Sequence, residues 1–81
     1  MQEYPQELSA LEIVRKPNLE EIEGYVDLQN QANAEFAGHG RTVIRYSGTE
    51  NKVRILAEAQ DPMLAKKWHD IFSDFLKSKI G

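Results

Sequence analysis

Hydrophobic and polar positions along the chain change period several times, and each change predicts an element. Over residues 7–16, ELSALEIVRK, Ser9, Leu11 and Ile13 alternate with Ala10, Glu12 and Val14, the period of a strand. Pro17 closes that run. Asn18 with Glu21 three residues later then forms an Asn-x-x-Glu pattern able to supply reciprocal capping bonds at a helix start. The predicted helix covers residues 19–37, with Ile22, Val26, Leu28, Ala32 and Phe36 as inward positions; the stripe is thin and Gly24 weakens it. Gly-His-Gly at 38–40 stops the helix, Gly38 suiting the left-handed position past its end.

Two short runs rich in β-branched residues follow, RTVIRY at 41–46 and KVRILAEA at 52–59, separated by a polar loop. Asp61 then reads as an N-cap with Pro62 at the first helical position, where a missing N–H is no loss. Beyond it Leu64, Trp68, Ile71, Phe72, Phe75, Leu76 and Ile80 share one helical face, with lysines and aspartates between them. The order is β-α-β-β-α. It predicts an α+β fold, a two-layer sandwich with two helices on one face of a small, mostly antiparallel sheet, as one domain over residues 1–81. The other sheet face, with Val43 and Leu56, is left to be solvated or to meet another surface.

Composition narrows the function classes. A formal charge of −3 argues against a general nucleic-acid binder, because phosphate neutralisation needs a basic face. The absence of cysteine removes disulfides and thiolate chemistry and fits a reducing compartment. The chain has neither a leader pattern at MQEYPQELSA nor an apolar run of spanning length, so a cytoplasmic setting away from any membrane is expected.

The loop between the two strands carries the candidate chemistry. Ser47, Gly48, Thr49, Glu50 and Asn51 are flanked by Arg45 and Arg54. Burying Ile44, Tyr46, Val53 and Ile55 together is achieved by pairing Tyr46 with Val53 and Ile44 with Ile55, although registers shifted by two residues keep the same faces. Arg45 then stands opposite Arg54 on the other face. Directly opposed like charges oppose strand pairing unless an anion lies between them, a local conflict of the kind found at functional sites. Two hydroxyls, a turn glycine and convergent backbone N–H groups suit a phosphate, with its three acceptor oxygens. Two plainer readings stand beside this one. Ser-Gly-Thr is ordinary turn chemistry, and Arg45 paired with Glu58 or Glu50 would make a solvated charged face.

The stretch RYSGTENKVRILAE resembles the phosphate-binding signature of the C-terminal domain of the α-D-phosphohexomutases, Arg-x-Ser-Gly-Thr-Glu-Pro-x-x-Arg-x-x-x-Glu. Arg45, Ser47, Gly48, Thr49, Glu50, Arg54 and Glu58 match in type and spacing. The Ser-Gly-Thr-Glu form is most similar to the bacterial phosphoglucosamine mutases. The alternatives are a phosphomannomutase/phosphoglucomutase domain and a small protein- or RNA-interaction module of the same fold.

The resemblance implies an isomerase of four domains, whose last domain grips the substrate's non-reacting phosphate while other domains supply a phosphoserine and a Mg²⁺ loop. It assigns substrate phosphate binding to Arg45, Ser47, Gly48 and Thr49, with Arg54 in support, and gives no catalytic or metal-binding residue to this chain. The expected partners are a phosphosugar and the remaining domains of a parent enzyme. No cofactor is expected in the chain itself, Mg²⁺ belonging to the full-length enzyme. The isolated chain is expected to bind and orient without turning over.

Asn51 stands where the family signature has proline, and a looser loop exit is expected from it. Glu50 is expected to point away from the anion and brace Lys52 or an arginine. His39 reads as a solvated loop residue and His69 as a neighbour of the packed stripe; two isolated histidines give no metal pattern.

Overall fold

The computed structural model describes residues 4–81, and its elements follow the expected order with one addition. β1 spans Gln6–Glu12, β2 Gly40–Tyr46 and β3 Lys52–Ala59; α1 is Tyr25–Phe36, α2 is Pro62–Ile80, and a single 3-10 turn covers Leu19–Glu21. The fold is α+β, a three-stranded antiparallel sheet in the order β1-β3-β2 carrying two helices. β3 therefore lies in the centre, paired on both sides.

Alternation along β3 separates the two faces. Val53, Ile55, Ala57 and Ala59 are buried under the helices. Arg54, Leu56 and Glu58 face the opposite side, beside Ala10, Leu8 and Gln6 of β1 and Arg45, Val43 and Arg41 of β2. The inner face meets α2, whose Trp68, Phe72, Leu76 and Ile80 are all 3% exposed or less. Tyr25 and Trp68 pack on the Phe72 ring at centroid distances of 6.0 and 6.1 Å. The Asp61 side chain accepts from the Met63 N–H at 2.9 Å, with Pro62 beginning the helix, as the sequence predicts.

Two boundaries differ from expectation. The first strand ends at Glu12 rather than Lys16, because β3, its only pairing partner, begins at Lys52 opposite Glu12. The helix predicted from residue 19 forms only from Tyr25. Gly24 has φ of +92°, which breaks the run, and a Cβ there would lie 3.3 Å from the Phe75 ring. The close seat against Phe75 makes Gly24 a boundary rather than a weak helical residue. Asn18 accordingly makes no side-chain capping bond. Shifting the helix also changes its face: Tyr25 is buried and Val26 is 48% exposed, whereas Ile22, Ala32 and Phe36 are buried as expected. At the far end Gly38 takes φ of +85°, and Ala37 precedes it at +50°.

Polar links fasten the layers. Ser9 Oγ and His69 Nε2 lie 2.7 Å apart, and His69 Nδ1 lies 3.0 Å from Asp70 Oδ1, tying β1 to α2. Lys67 of α2 donates to Glu35 of α1 at 2.7 Å.

On the open face the Glu58 carboxylate takes the Gln6 amide at 2.8 Å and the Arg41 guanidinium. The Gln6 hydrogen bond is the largest influence, and together with the Arg41 guanidinium it holds the carboxyl below its ordinary value, although partial burial opposes them. The stability this contributes is present above the unfolded-state value near 4.5 and is lost as pH falls through the lower folded value. Glu58→Gln, which mimics the protonated carboxyl at every pH, is therefore expected to lower the neutral region of a plot of urea midpoint against pH and to flatten its acid limb, leaving the most acid points little changed.

Candidate functional site

β2 and β3 bring the predicted residues together at one end of the sheet. Tyr46 pairs with Val53, Ile44 with Ile55 and Arg45 with Arg54, the expected register. Both arginines are exposed, and neither has a carboxylate partner among the described residues. The carboxylates that might have neutralised them are engaged elsewhere. Glu58 holds Arg41, and Glu50 turns to Lys52 at 3.2 Å. The opposed positive pair thus persists on the surface without the Arg45–Glu58 or Arg45–Glu50 ion pair of the plainer reading.

Inside the loop, Ser47 Oγ accepts from the backbone N–H groups of Thr49 at 3.4 Å and Glu50 at 3.2 Å. Two main-chain donors therefore converge on one oxygen. Both bonds are long, so a charged oxygen, a stronger acceptor than a hydroxyl, can displace Ser47 Oγ from these donors. The serine hydroxyl is then free to donate.

Gly48 departs from the turn argument. The positive-φ glycines are Gly24 and Gly38, so Gly48 is not using the left-handed region. A Cβ on Gly48 would meet nothing within 4 Å. The chain's own fold thus leaves open space beside Gly48.

The loop is fastened from below by residues 13–17, a role that strand periodicity did not reveal. Ile13 N–H donates to the Asn51 carbonyl at 2.9 Å and pins the loop exit. Tyr46 OH donates to the Pro17 carbonyl at 2.6 Å and pins the entrance. Burial first, then the neighbouring Tyr25, push the Tyr46 hydroxyl up, with Arg15 opposing, so it remains a neutral donor at physiological pH. Lys16 Nζ donates to the Ser47 carbonyl at 2.9 Å. The available sequence signal for this strap was the basic pair Arg15-Lys16 before Pro17, too common a pattern to single out. The Asn51 carbonyl makes the strap contact, and a proline at that position would offer the same atom.

No group of three or more His, Cys, Asp or Glu able to hold a metal ion occurs among the described residues. Magnesium therefore has no fitting donor set in them. Among the same residues no helix is long and apolar enough to cross a membrane.

A sequence profile for the phosphoglucomutase/phosphomannomutase C-terminal domain matches residues 8–74, nearly the whole sheet and most of α2. The chain belongs to that family. Among similar proteins, the phosphoglucosamine mutase of Wolinella succinogenes is 42% identical over 78 residues, 96% of this chain and 17% of the relative. That of Helicobacter pylori strain Shi470 is 40% identical over 77 residues, 95% of this chain and 17% of the relative. The chain thus spans about a sixth of the length of these phosphohexomutases, and its sequence is phosphoglucosamine mutase-like.

Solved structures agree on the fold. Aspergillus fumigatus N-acetylphosphoglucosamine mutase, in a complex with GlcNAc-6P and magnesium, superposes with a TM-score of 0.64 at 22% identity, covering 95% of this chain and 16% of that one. An N-acetylglucosamine-phosphate mutase of the α-D-phosphohexomutase superfamily, in its product complex, gives 0.62 at 26% identity, covering 93% and 16%.

Proposed function

We propose that this domain grips the phosphate of a phosphosugar and orients it for chemistry performed by other domains of a phosphoglucosamine mutase-like enzyme. The single observation that carries the reading is the exposed, directly opposed pair Arg45 and Arg54, with no carboxylate between them. A dianionic phosphate relieves that repulsion and accepts from both guanidinium groups. Ser47 and Thr49 add hydroxyl donors, the convergent Thr49 and Glu50 N–H groups add main-chain donors, and Gly48 leaves room for the ligand to approach.

In the full-length enzyme this grip acts on the phosphate that is not being transferred. Holding one end of the substrate limits the motion of the reacting end, which lowers the barrier by orientation and without bond-making. The phosphate-contacting residues recognise a group common to hexose and hexosamine phosphates, so sugar selectivity belongs to other parts of the parent. The chain carries no constellation for phosphoryl transfer and is expected to show no mutase turnover alone. A same-fold RNA module would use aromatic rings on the open face. That face presents Leu8, Val43 and Leu56 with arginines, which favours the phosphate reading.

The test is an amide NMR titration with glucosamine 6-phosphate, glucose 6-phosphate and inorganic phosphate at fixed ionic strength. Saturable shifts confined to residues 45–51 and Arg54, similar for all three, are expected. Gly48→Ala is expected to leave the melting temperature nearly unchanged, since its Cβ meets nothing within 4 Å, while weakening all three ligands by several-fold or more. Gly48→Ala binding as tightly as the parent sequence would remove the close-approach argument; flat spectra at tens of millimolar would remove phosphate binding by this chain.

A further inference from the structure

We infer that Lys16 is the third cation of the phosphate site, a positioning residue that acts on the ligand through its charge and through the Ser47 carbonyl. This inference rests on the phosphate reading of the loop and adds to it a residue outside the Arg45–Arg54 signature.

Lys16 reaches the loop from a segment distant in sequence. Its ammonium lies 2.9 Å from the Ser47 carbonyl oxygen, bridging 31 positions along the chain. The reach is directed by two further bonds on either side of it, Ile13 N–H to Asn51 O at 2.9 Å and Tyr46 OH to Pro17 O at 2.6 Å. Residues 13 and 17 are thus anchored at the two ends of the loop, and residue 16 projects onto the peptide between Ser47 and Gly48.

The other cations in this neighbourhood have different partners. Arg15 donates to the Lys79 carbonyl at 3.1 Å, at the end of α2, and Lys52 is paired with Glu50. Lys16 has no carboxylate partner among the described residues.

An ammonium on that carbonyl has two consequences for a loop that takes an anion. It draws electron density toward the Ser47 oxygen and makes the Gly48 N–H of the same peptide a better donor. It also adds a third positive charge beside the loop, where it favours an anion held by the arginines. A compact, rotatable ammonium suits this task, whereas the arginines supply planar fork contacts.

The experiment is a phosphate titration of the full chain, followed by amide NMR, for the parent sequence, Lys16→Gln, Lys16→Arg and Arg45→Ala. Glutamine keeps a donor for the Ser47 carbonyl and removes the charge; arginine keeps both. The expected result is a Kd for inorganic phosphate raised about 3- to 10-fold in Lys16→Gln. In that variant the ligand-free amide shifts of residues 49–51 should match the parent, that of Gly48 alone moving as the polarisation of its peptide is lost, and Lys16→Arg should bind within about 2-fold of the parent.

A Lys16→Gln variant that binds as the parent does overturns the inference. So does one whose ligand-free amides of residues 49–51 are displaced, because the residue would then be a structural tether alone. Arg45→Ala separates these failures from that of the underlying reading. Loss of binding there with none in Lys16→Gln sinks Lys16 only. Binding undiminished in Arg45→Ala, or saturable binding absent from the parent chain, sinks the loop as a phosphate site and Lys16 with it.

Discussion

Replacing Arg45 by threonine is expected to lower phosphate affinity by roughly ten- to a hundredfold while making the domain slightly more stable. The two effects have one cause. Arg45 faces Arg54 directly across the β2–β3 pair, and like charges at such positions oppose pairing by about 0.2–1 kcal/mol. Threonine removes the repulsion and favours the strand conformation. The same change removes a charged hydrogen-bonding partner of the ligand, each such bond contributing about 1.5–3 kcal/mol, which is the stated fold-change.

Urea unfolding and a phosphate titration on the same variant give both numbers. A gain in stability with unchanged affinity would mean that the pair is a strained surface feature and not a site. A loss of stability would mean that Arg45 has a structural partner outside this account.

Phe72→Ala is expected to bring the largest loss of stability, about 3–5 kcal/mol. Phe72 is 0% exposed and sits between Tyr25 at 6.0 Å and Trp68 at 6.1 Å, so its removal opens a cavity bounded by both helices. A domain of 81 residues has a total stability on the order of 4–12 kcal/mol, so a substantial unfolded population is expected at 37 °C.

The single tryptophan, Trp68, packs on Phe72 and reports the transition by fluorescence. Met63→Ala on the same helix is the control. Met63 is 78% exposed, and its truncation is expected to change stability by no more than about 0.5 kcal/mol. Equal effects at the two positions would contradict the placement of the core.

Much of this molecule was legible before any coordinates. The strands at 41–46 and 52–59 and the helix from Pro62 stand where alternation and the Asp-Pro start put them. That Arg45 and Arg54 share the open face follows from keeping Ile44, Tyr46, Val53 and Ile55 on the other, and the structure selects their direct opposition among registers two residues apart. What failed was the start of α1, because an Asn-x-x-Glu pattern is a local signal and Gly24 answers to a contact with Phe75, distant in sequence. The conformation of Gly48 was not legible for a related reason: glycine is compatible with many conformations, and only the structure reveals that it turns here without a positive φ.

The sequence by itself determined which residues could be strands and helices, which side chains share a face, and that a stretch resembling the phosphohexomutase signature lies in the hairpin loop. These properties depend on periods of two and 3.6 residues and on a short contiguous motif. Only the tertiary structure decided that β3 lies at the centre, that Glu50 and Glu58 are engaged away from the arginines, and that residues 13–17 lace the loop from beneath. Those outcomes depend on groups brought together across as many as 52 positions of chain, as Gln6 is with Glu58, and no local pattern encodes such a pairing.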